Sequence, residues 1–128
     1  MKENEHWKEE PDDHDYPAAE DYLTLLLPEA AAKALSDRLR TAQLTHRKAK
    51  DLLRASRLPV LGPDNFHVAA DLEKVKKGKP LSPVLLVRGR LGADVDLTVA
   101  DGYHRICASH HLNEDADIPC RIADLEKA

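Results

Sequence analysis

The apolar positions of this chain change period several times, and each change marks an element. Tyr22 to Leu27 (YLTLLL) is a short apolar run that reads as a strand. Pro28 then suits a first helical position. Ala31, Ala34, Leu35, Arg38 and Leu39 follow at helical spacing and predict a helix over Glu29 to Arg40, with Ala42 and Leu44 available to prolong it. Thr45 is placed to cap a second helix, whose narrow apolar face is Ala49, Leu52, Leu53 and Ser56. Leu58 to Pro63 is a turn-rich connection. Asp64 then reads as an N-cap, with His67 standing where a capping box carries Glu or Gln. Phe66, Ala69, Ala70, Leu72, Val75 and Lys76 extend that helix to Lys77, and Gly78 ends it as a C′ residue does.

From there the pattern is that of short strands. Lys79 to Pro83 is a linker stiffened by two prolines. Val84 to Val87 (VLLV) reads as a buried strand. Arg88 to Asp96 reads as a hairpin-like loop, and Leu97 to Ala100 as the antiparallel partner strand. Asp101-Gly102 stops that strand, and a helix is expected over Tyr103 to Leu112. An acidic turn, Asn113 to Asp117, precedes a last strand, Ile118 to Ala123, and Asp124 to Ala128 reads as a frayed end. The expectation is an α+β fold: a small mixed β-sheet packed with helices.

Composition refines this picture. The chain has 128 residues, enough for one domain with a single core, and only five aromatic residues, so Leu, Val, Ile and Ala must fill that core. The net charge is −4, which does not describe a general polyanion binder. It is unevenly placed: residues 1 to 21 hold nine Asp and Glu against two Lys, leaving the remainder neutral to slightly basic. Met1 to Ala19, with Trp7 and Tyr16 as its large side chains, is therefore expected to be a flexible acidic arm ahead of a single domain over residues 20–128. Its functional alternative is a partner-binding or autoinhibitory tail. Two cysteines, Cys107 and Cys120, suggest a reducing compartment and no disulfide framework. With no apolar run of membrane-spanning length and a polar N-terminus, a cytoplasmic protein with no membrane partner is expected.

The chemistry concentrates in Asp101-Gly102-Tyr103-His104-Arg105. A strand that runs through glycine into a helix start presents free N–H groups and the positive end of the helix dipole to an anion. Gly102 lets a ligand approach the backbone. Arg105 offers a planar fork for paired phosphate oxygens, and His104 donates to phosphate or exchanges a proton near neutral pH. Asp101 accepts a proton, holds Mg²⁺ through water, or caps the helix. The alternatives are a common Asp-Gly turn and an arginine paired on the surface. His104, Cys107, His110 and His111 do not converge as a zinc site does, because the adjacent histidines point to different faces; no structural metal is expected there. The helix carrying Arg47, Lys48, Lys50, Arg54 and Arg57 is strongly basic. It reads first as a solvated face and second as a wall touching an anion or nucleic acid.

Strand–DGYHR–helix, followed by a polar turn and Ile118-Pro119-Cys120-Arg121-Ile122, resembles the ParB/sulfiredoxin superfamily, as does the upstream helix with Gly78 to Val87. The resemblance spans roughly residues 45 to 123. It implies nucleotide phosphates held at the Gly102-to-Arg105 turn, with Tyr103, Lys79 and Ser82 as further phosphate or substrate contacts. The branches differ in chemistry. Sulfiredoxins carry a reactive cysteine where this chain has Tyr103, so that activity is not implied, and Cys107 reads as a small buried residue. Partition proteins follow this domain with a helix-turn-helix; the sequence ends at Ala128, so centromere binding of that kind is not expected. The free serine kinase branch has the nearest turn, D-G-H-H-R, and implies phosphoryl transfer from a nucleotide to a small hydroxyl substrate. It also implies an acidic base from an earlier segment, for which Asp64, Asp71 and Glu73 are the candidates beside Asp101. The expectation is thus a nucleotide-phosphate-binding protein (ATP, ADP or CTP, with Mg²⁺) working through the turn as a phosphotransferase or nucleotide hydrolase. Asp101 and His104 would be the reacting groups, and a homodimer is compatible with it. The alternative is a non-catalytic ParB-like adaptor for nucleic acid or protein.

Overall fold

A computed structural model describes residues 6–125. Its elements run α1 (Asp15–Leu23), α2 (Glu29–Thr41), β1 (Leu44–Lys48), α3 (Ala49–Ser56), α4 (Phe66–Lys76), β2 (Val84–Val87), β3 (Thr98–Asp101), α5 (Tyr103–Leu112) and β4 (Asp117–Ala123). A short 3₁₀ turn, Leu91–Ala93, tops the loop between β2 and β3. The four strands form one sheet in the order β1-β4-β2-β3. β4 pairs antiparallel with β1 and parallel with β2, and β2 pairs antiparallel with β3. The fold is α+β with a mixed sheet, as expected.

The central strand explains the layering. Successive side chains of a strand point to opposite faces, so a strand covered on both sides is apolar throughout. Val84 and Leu86 enter one core with Leu52, Leu53, Val68, Ile106 and Ile118. Leu85 and Val87 enter a second core with Tyr16, Leu23, Leu35 and Leu39. Helices α3, α4 and α5 cover the first face, and α1 and α2 the second. The edge strand β1, by contrast, exposes His46, Arg47 and Lys48, charge that discourages pairing with another chain.

Several expectations fail for identifiable reasons. Residues 6–19 are docked rather than forming a free arm. Trp7 bridges Leu81, with the Lys8 N–H donating to the Leu81 carbonyl at 2.8 Å and the Leu81 N–H to His6 at 2.8 Å. Tyr16, Ala19 and Leu23 then line the buried face of α1, and the Arg40 guanidinium sits 4.3 Å above the Tyr16 ring. Their helical spacing was hidden by the acidic residues between them. Residues 1–5 of that expected arm lie outside the described residues. Because α1 starts so early, Tyr22 to Leu27 is not a strand but the helix end and a turn, with Leu25 and Leu26 exposed.

Thr45 caps no helix; it lies in β1, opposite Cys120. Helix α3 begins at Ala49 without a side-chain cap, because the turn before β4 supplies the acceptors: Ala49 donates to Ala116 and Lys50 to Glu114, each at 3.0 Å. Asn65, not Asp64, caps α4, its Oδ1 accepting from His67 and Val68. Asp124 and Leu125 do not fray, since their carbonyls accept from Arg38; residues 126–128 lie outside the description. The other boundaries hold closely, including Gly78 at φ +73° after α4, the hairpin loop closed by Arg90 and Val95, and α5.

The docking of residue 16 has a direct consequence for stability. Tyr16→Ala is expected to lower the urea-unfolding free energy by about 3 kcal/mol, the cost of truncating a buried aromatic. A change within about 0.5 kcal/mol, typical of an exposed position, would show that the segment is not part of the folded unit.

Candidate functional site

The β3–α5 turn is built by three local features. Leu85 pairs with Asp101 but Leu86 with Val99, so Ala100 is an extra residue on β3, and the bulge re-aims the strand end. Gly102 follows at φ +110°, a conformation that suits glycine. A Cβ there would overlap the Val84 side chain and lie 2.9 Å from Arg105 Nη2. Helix α5 then starts at Tyr103, with Ile106 donating to the Gly102 carbonyl at 3.0 Å. Its first N–H groups are free of intrahelical partners, as at any helix start.

Beside this turn is a cavity of about 260 Å³ lined by His67, Ala70, Asp71 and Lys74 of α4 and by Asp101, Gly102, His104 and Arg105. His67, Asp71 and Lys74 stand at i, i+4 and i+7, one face of α4 turned toward α5. The His67 and His104 rings are 4.6 Å apart. Burial lowers the pKa of His104, with His67 acting in the same sense, so its imidazole is neutral at pH 7. Asp71 is 9% exposed, and burial raises its pKa, opposed by Lys74, whose Nζ is 4.0 Å away. A buried carboxylate beside a neutral imidazole and a lysine can accept a proton and hold an anion at once.

Arg105 faces inward. Its Nη2 donates to Asp101 Oδ2 at 2.8 Å and to the Pro83 carbonyl at 3.4 Å, and lies 3.8 Å from Asp15 Oδ2. Asp15, on α1, is itself buried and accepts hydrogen bonds from the Ser82 hydroxyl and, at 3.1 Å, from the Asp12 N–H. Asp101 has a raised pKa: burial is the main cause, the Asp15 carboxylate adds to it, and Arg105 opposes it. Arg105 Nε is buried and has no hydrogen-bond partner among the described residues.

The expected site residues are therefore divided. Asp101, Gly102, His104 and Arg105 meet at one cavity, whereas Tyr103, Lys79 and Ser82 do not line it. Tyr103 donates its hydroxyl to the Pro59 carbonyl at 2.6 Å and packs on the core, because the first residue of α5 points toward the α3–α4 connection. Lys79 is exposed where the chain leaves α4, its N–H closing the helix on Lys74. Ser82 is buried and engaged with Asp15. Among the three earlier carboxylates only Asp71 reaches the cavity; Asp64 is exposed and Glu73 pairs with Lys77 at 3.6 Å. His67 and Lys74 are contributors that the motif reading missed. Their signal was the helical spacing with Asp71, which a search for the turn alone passes over.

Cys107 is buried and accepts from the Leu61 N–H, and burial raises its pKa; Cys120 is likewise pushed up to about 11. His110 lies 3.9 Å from Glu114, and His111 meets the Leu61 carbonyl at 2.7 Å, away from the cavity. Potential metal ligands come together instead at Asp12, His14 and Asp15, although Asp12 already pairs with Lys8 at 2.6 Å and Asp15 with Ser82. No described helix is long and apolar enough to cross a membrane. Comparison with protein-family models, curated proteins and solved structures gives no match to this chain.

Two substitutions test this geometry. Gly102→Ala is expected to cost about 1–3 kcal/mol in urea unfolding, from the positive φ and the overlap with Val84; an unchanged midpoint would refute the tight turn. For Asp71, a folded-state pKa above the unfolded value means that stability falls as pH rises from the ordinary carboxylate range through the folded pKa. Asp71→Asn, which mimics the neutral acid, should thus melt higher than the parent at pH 7, with the gap closing by about pH 3. A lower melting point at pH 7 would place a stabilising ion pair at Asp71 instead.

Proposed function

We propose that the cavity at the start of α5 binds the phosphates of a nucleotide and that the protein acts there as a phosphotransferase or nucleotide hydrolase, as its resemblance to the ParB/sulfiredoxin superfamily implies. The observation that carries this reading is the convergence of Asp71, Lys74, His104 and the α5 N-terminus on one cavity of about 260 Å³. That volume is just below the range of about 300–1,000 Å³ usual for small-molecule sites, so it suits the phosphates, with the nucleoside lying outside. Lys74 and the free N–H groups of α5 would neutralise phosphate charge. Neutral His104 would donate to a phosphate oxygen. Asp71 would take the proton from the attacking hydroxyl or water as its oxygen bonds to phosphorus and the nucleotide leaves. Mg²⁺, when bound with the nucleotide, would offset phosphate charge, with Asp71 and Asp101 the nearest carboxylates.

This assignment changes two roles. Asp101 becomes the residue that positions Arg105, and the base role passes to Asp71. The inward pairing of Arg105 favours a second reading, phosphate binding without turnover, in which the protein serves as an adaptor. Isothermal titration with ATP, ADP and CTP in the presence of Mg²⁺ checks the site. At least one should bind at submillimolar concentration, and Lys74→Ala or His104→Ala should weaken it about tenfold, as expected for one charge-assisted hydrogen bond. No binding at millimolar concentration overturns the proposal, and full binding by both variants relocates the site. Phosphate release or transfer that disappears in Asp71→Asn, with binding retained, supports catalysis; binding with no turnover in the parent supports the adaptor.

A further inference from the structure

At the opposite end of the sheet, between α3 and the β2–β3 loop, lies a larger cavity of about 440 Å³. A neighbouring one of about 300 Å³, beside β1, shares Arg47, Arg88 and Ile122 with it. The two form a trough across a part of the sheet face that α3 leaves uncovered. The larger cavity has an apolar floor, with Leu52, Leu97 and Ile122, and Leu91 stands on the rim 97% exposed; the part beside β1 is mostly polar, with Gln43, Thr45 and Arg47. Its charge is one-sided: Arg47, Arg54, Arg57 and Arg88 outnumber Asp51 and Asp96.

The arginines already hold carboxylates loosely. Arg57 meets Asp96 at 2.9 Å, Arg88 meets Asp124 at 2.7 Å and Arg54 meets Asp51 at 3.3 Å, all pairs of exposed side chains. Such pairs contribute little to stability, so an incoming carboxylate can exchange with them at small cost. Arg47 makes no ion pair among the described residues, although it sits where the two cavities meet. A guanidinium fork suits a carboxylate bidentately. No aromatic ring lines the trough, so it lacks the platform on which single-stranded nucleic acid stacks its bases. An open trough with an apolar floor in its larger part and arginines along it matches a chain that alternates acids with aliphatic side chains.

We propose that this trough docks an acidic polypeptide segment, its carboxylates meeting Arg47 and Arg88 and its aliphatic side chains resting on Leu52, Leu97 and Ile122. The site is separate from the His104 cavity and does not depend on the function assigned there.

Fluorescence anisotropy of the full chain with a labelled peptide of alternating Glu and Leu pairs provides the test. Saturable binding is expected, weakening at least fivefold between about 50 and about 300 mM salt. A Gln-for-Glu version of the peptide should bind at least tenfold more weakly. Arg47→Glu combined with Arg88→Glu should reduce binding at least tenfold with an unchanged circular dichroism spectrum and melting point, since neither side chain is in the core; Arg47→Glu alone, which breaks no ion pair among the described residues, should show part of the loss. Lys74→Ala should leave peptide binding intact. Absence of saturable binding, equal affinity for the Gln peptide, or equal binding by the double variant would each overturn the proposal. So would a single-stranded oligonucleotide of similar length binding more tightly through the same arginines, which would assign the trough to nucleic acid.

Discussion

The contact on which the rest of the structure depends is the pairing of Arg105 with Asp101, four residues apart across the β3–α5 turn. It joins a strand end to a helix start, and through Arg105 it also reaches Pro83 ahead of β2 and Asp15 on α1. Four separate segments of the chain are therefore referenced to one guanidinium. A charge group buried among others is worth little against an apolar alternative, yet removing one partner leaves the rest uncompensated, typically at a cost of about 3–5 kcal/mol. The arrangement thus acts more as a specification of geometry than as a reservoir of stability. It fixes where α1 docks and how α5 leaves the sheet.

Docking of α1 also bears on the chemistry. The acidic segment places Asp15 behind Arg105, where its carboxylate adds to the burial that raises the Asp101 pKa. One arginine is shared by two carboxylates, Asp15 behind it and Asp101 at the cavity wall, while His104, Lys74 and Asp71 line the same cavity without pairing to that arginine. This arrangement sets the polar cluster paired to Arg105 beside the other cavity groups, with Arg105 and His104 consecutive in the chain. It also explains why a motif of five adjacent residues cannot be read as five site residues: successive positions at a helix start point in different directions, and Tyr103 is carried to Pro59.

The sheet distributes the two cavities. β2 is antiparallel to β3, so the start of β2 and the end of β3 share one end of the sheet, where the Asp101 turn lies. The other end, after Val87 and Ala123, carries Arg88 and lies beside the end of α3 with Arg54, while Arg47, opposite Ile118 on β1, lines the same cavity. Local charge at both ends is consistent with an acidic chain overall, because the acids of the first 21 residues are concentrated on α1 and the segment leading to it.

Local chemistry was sufficient wherever an element carried its own signal. Gly78 and Gly102 allow backbone turns that other residues resist, VLLV is apolar on both faces, and the apolar spacing of α2 needs no partner to be read. Their boundaries, the α+β class and the Gly102 turn were all legible on that basis. What the tertiary structure decided was every feature whose cause lies far along the chain. β1 is a strand because β4 offers it hydrogen-bond partners, although its own residues read equally well as a helix start. Helix α3 starts uncapped because Ala116 and Glu114 accept its N–H groups. α1 folds because Tyr16 and Leu23 find the second face of the sheet, an apolar gain that the acidic composition of the segment concealed. Asp71 stands out from Asp64 and Glu73 only because α4 packs on α5. Residue pattern reports what a segment prefers by itself; burial and pairing are properties of two segments together, and these selected the residues that line the cavity.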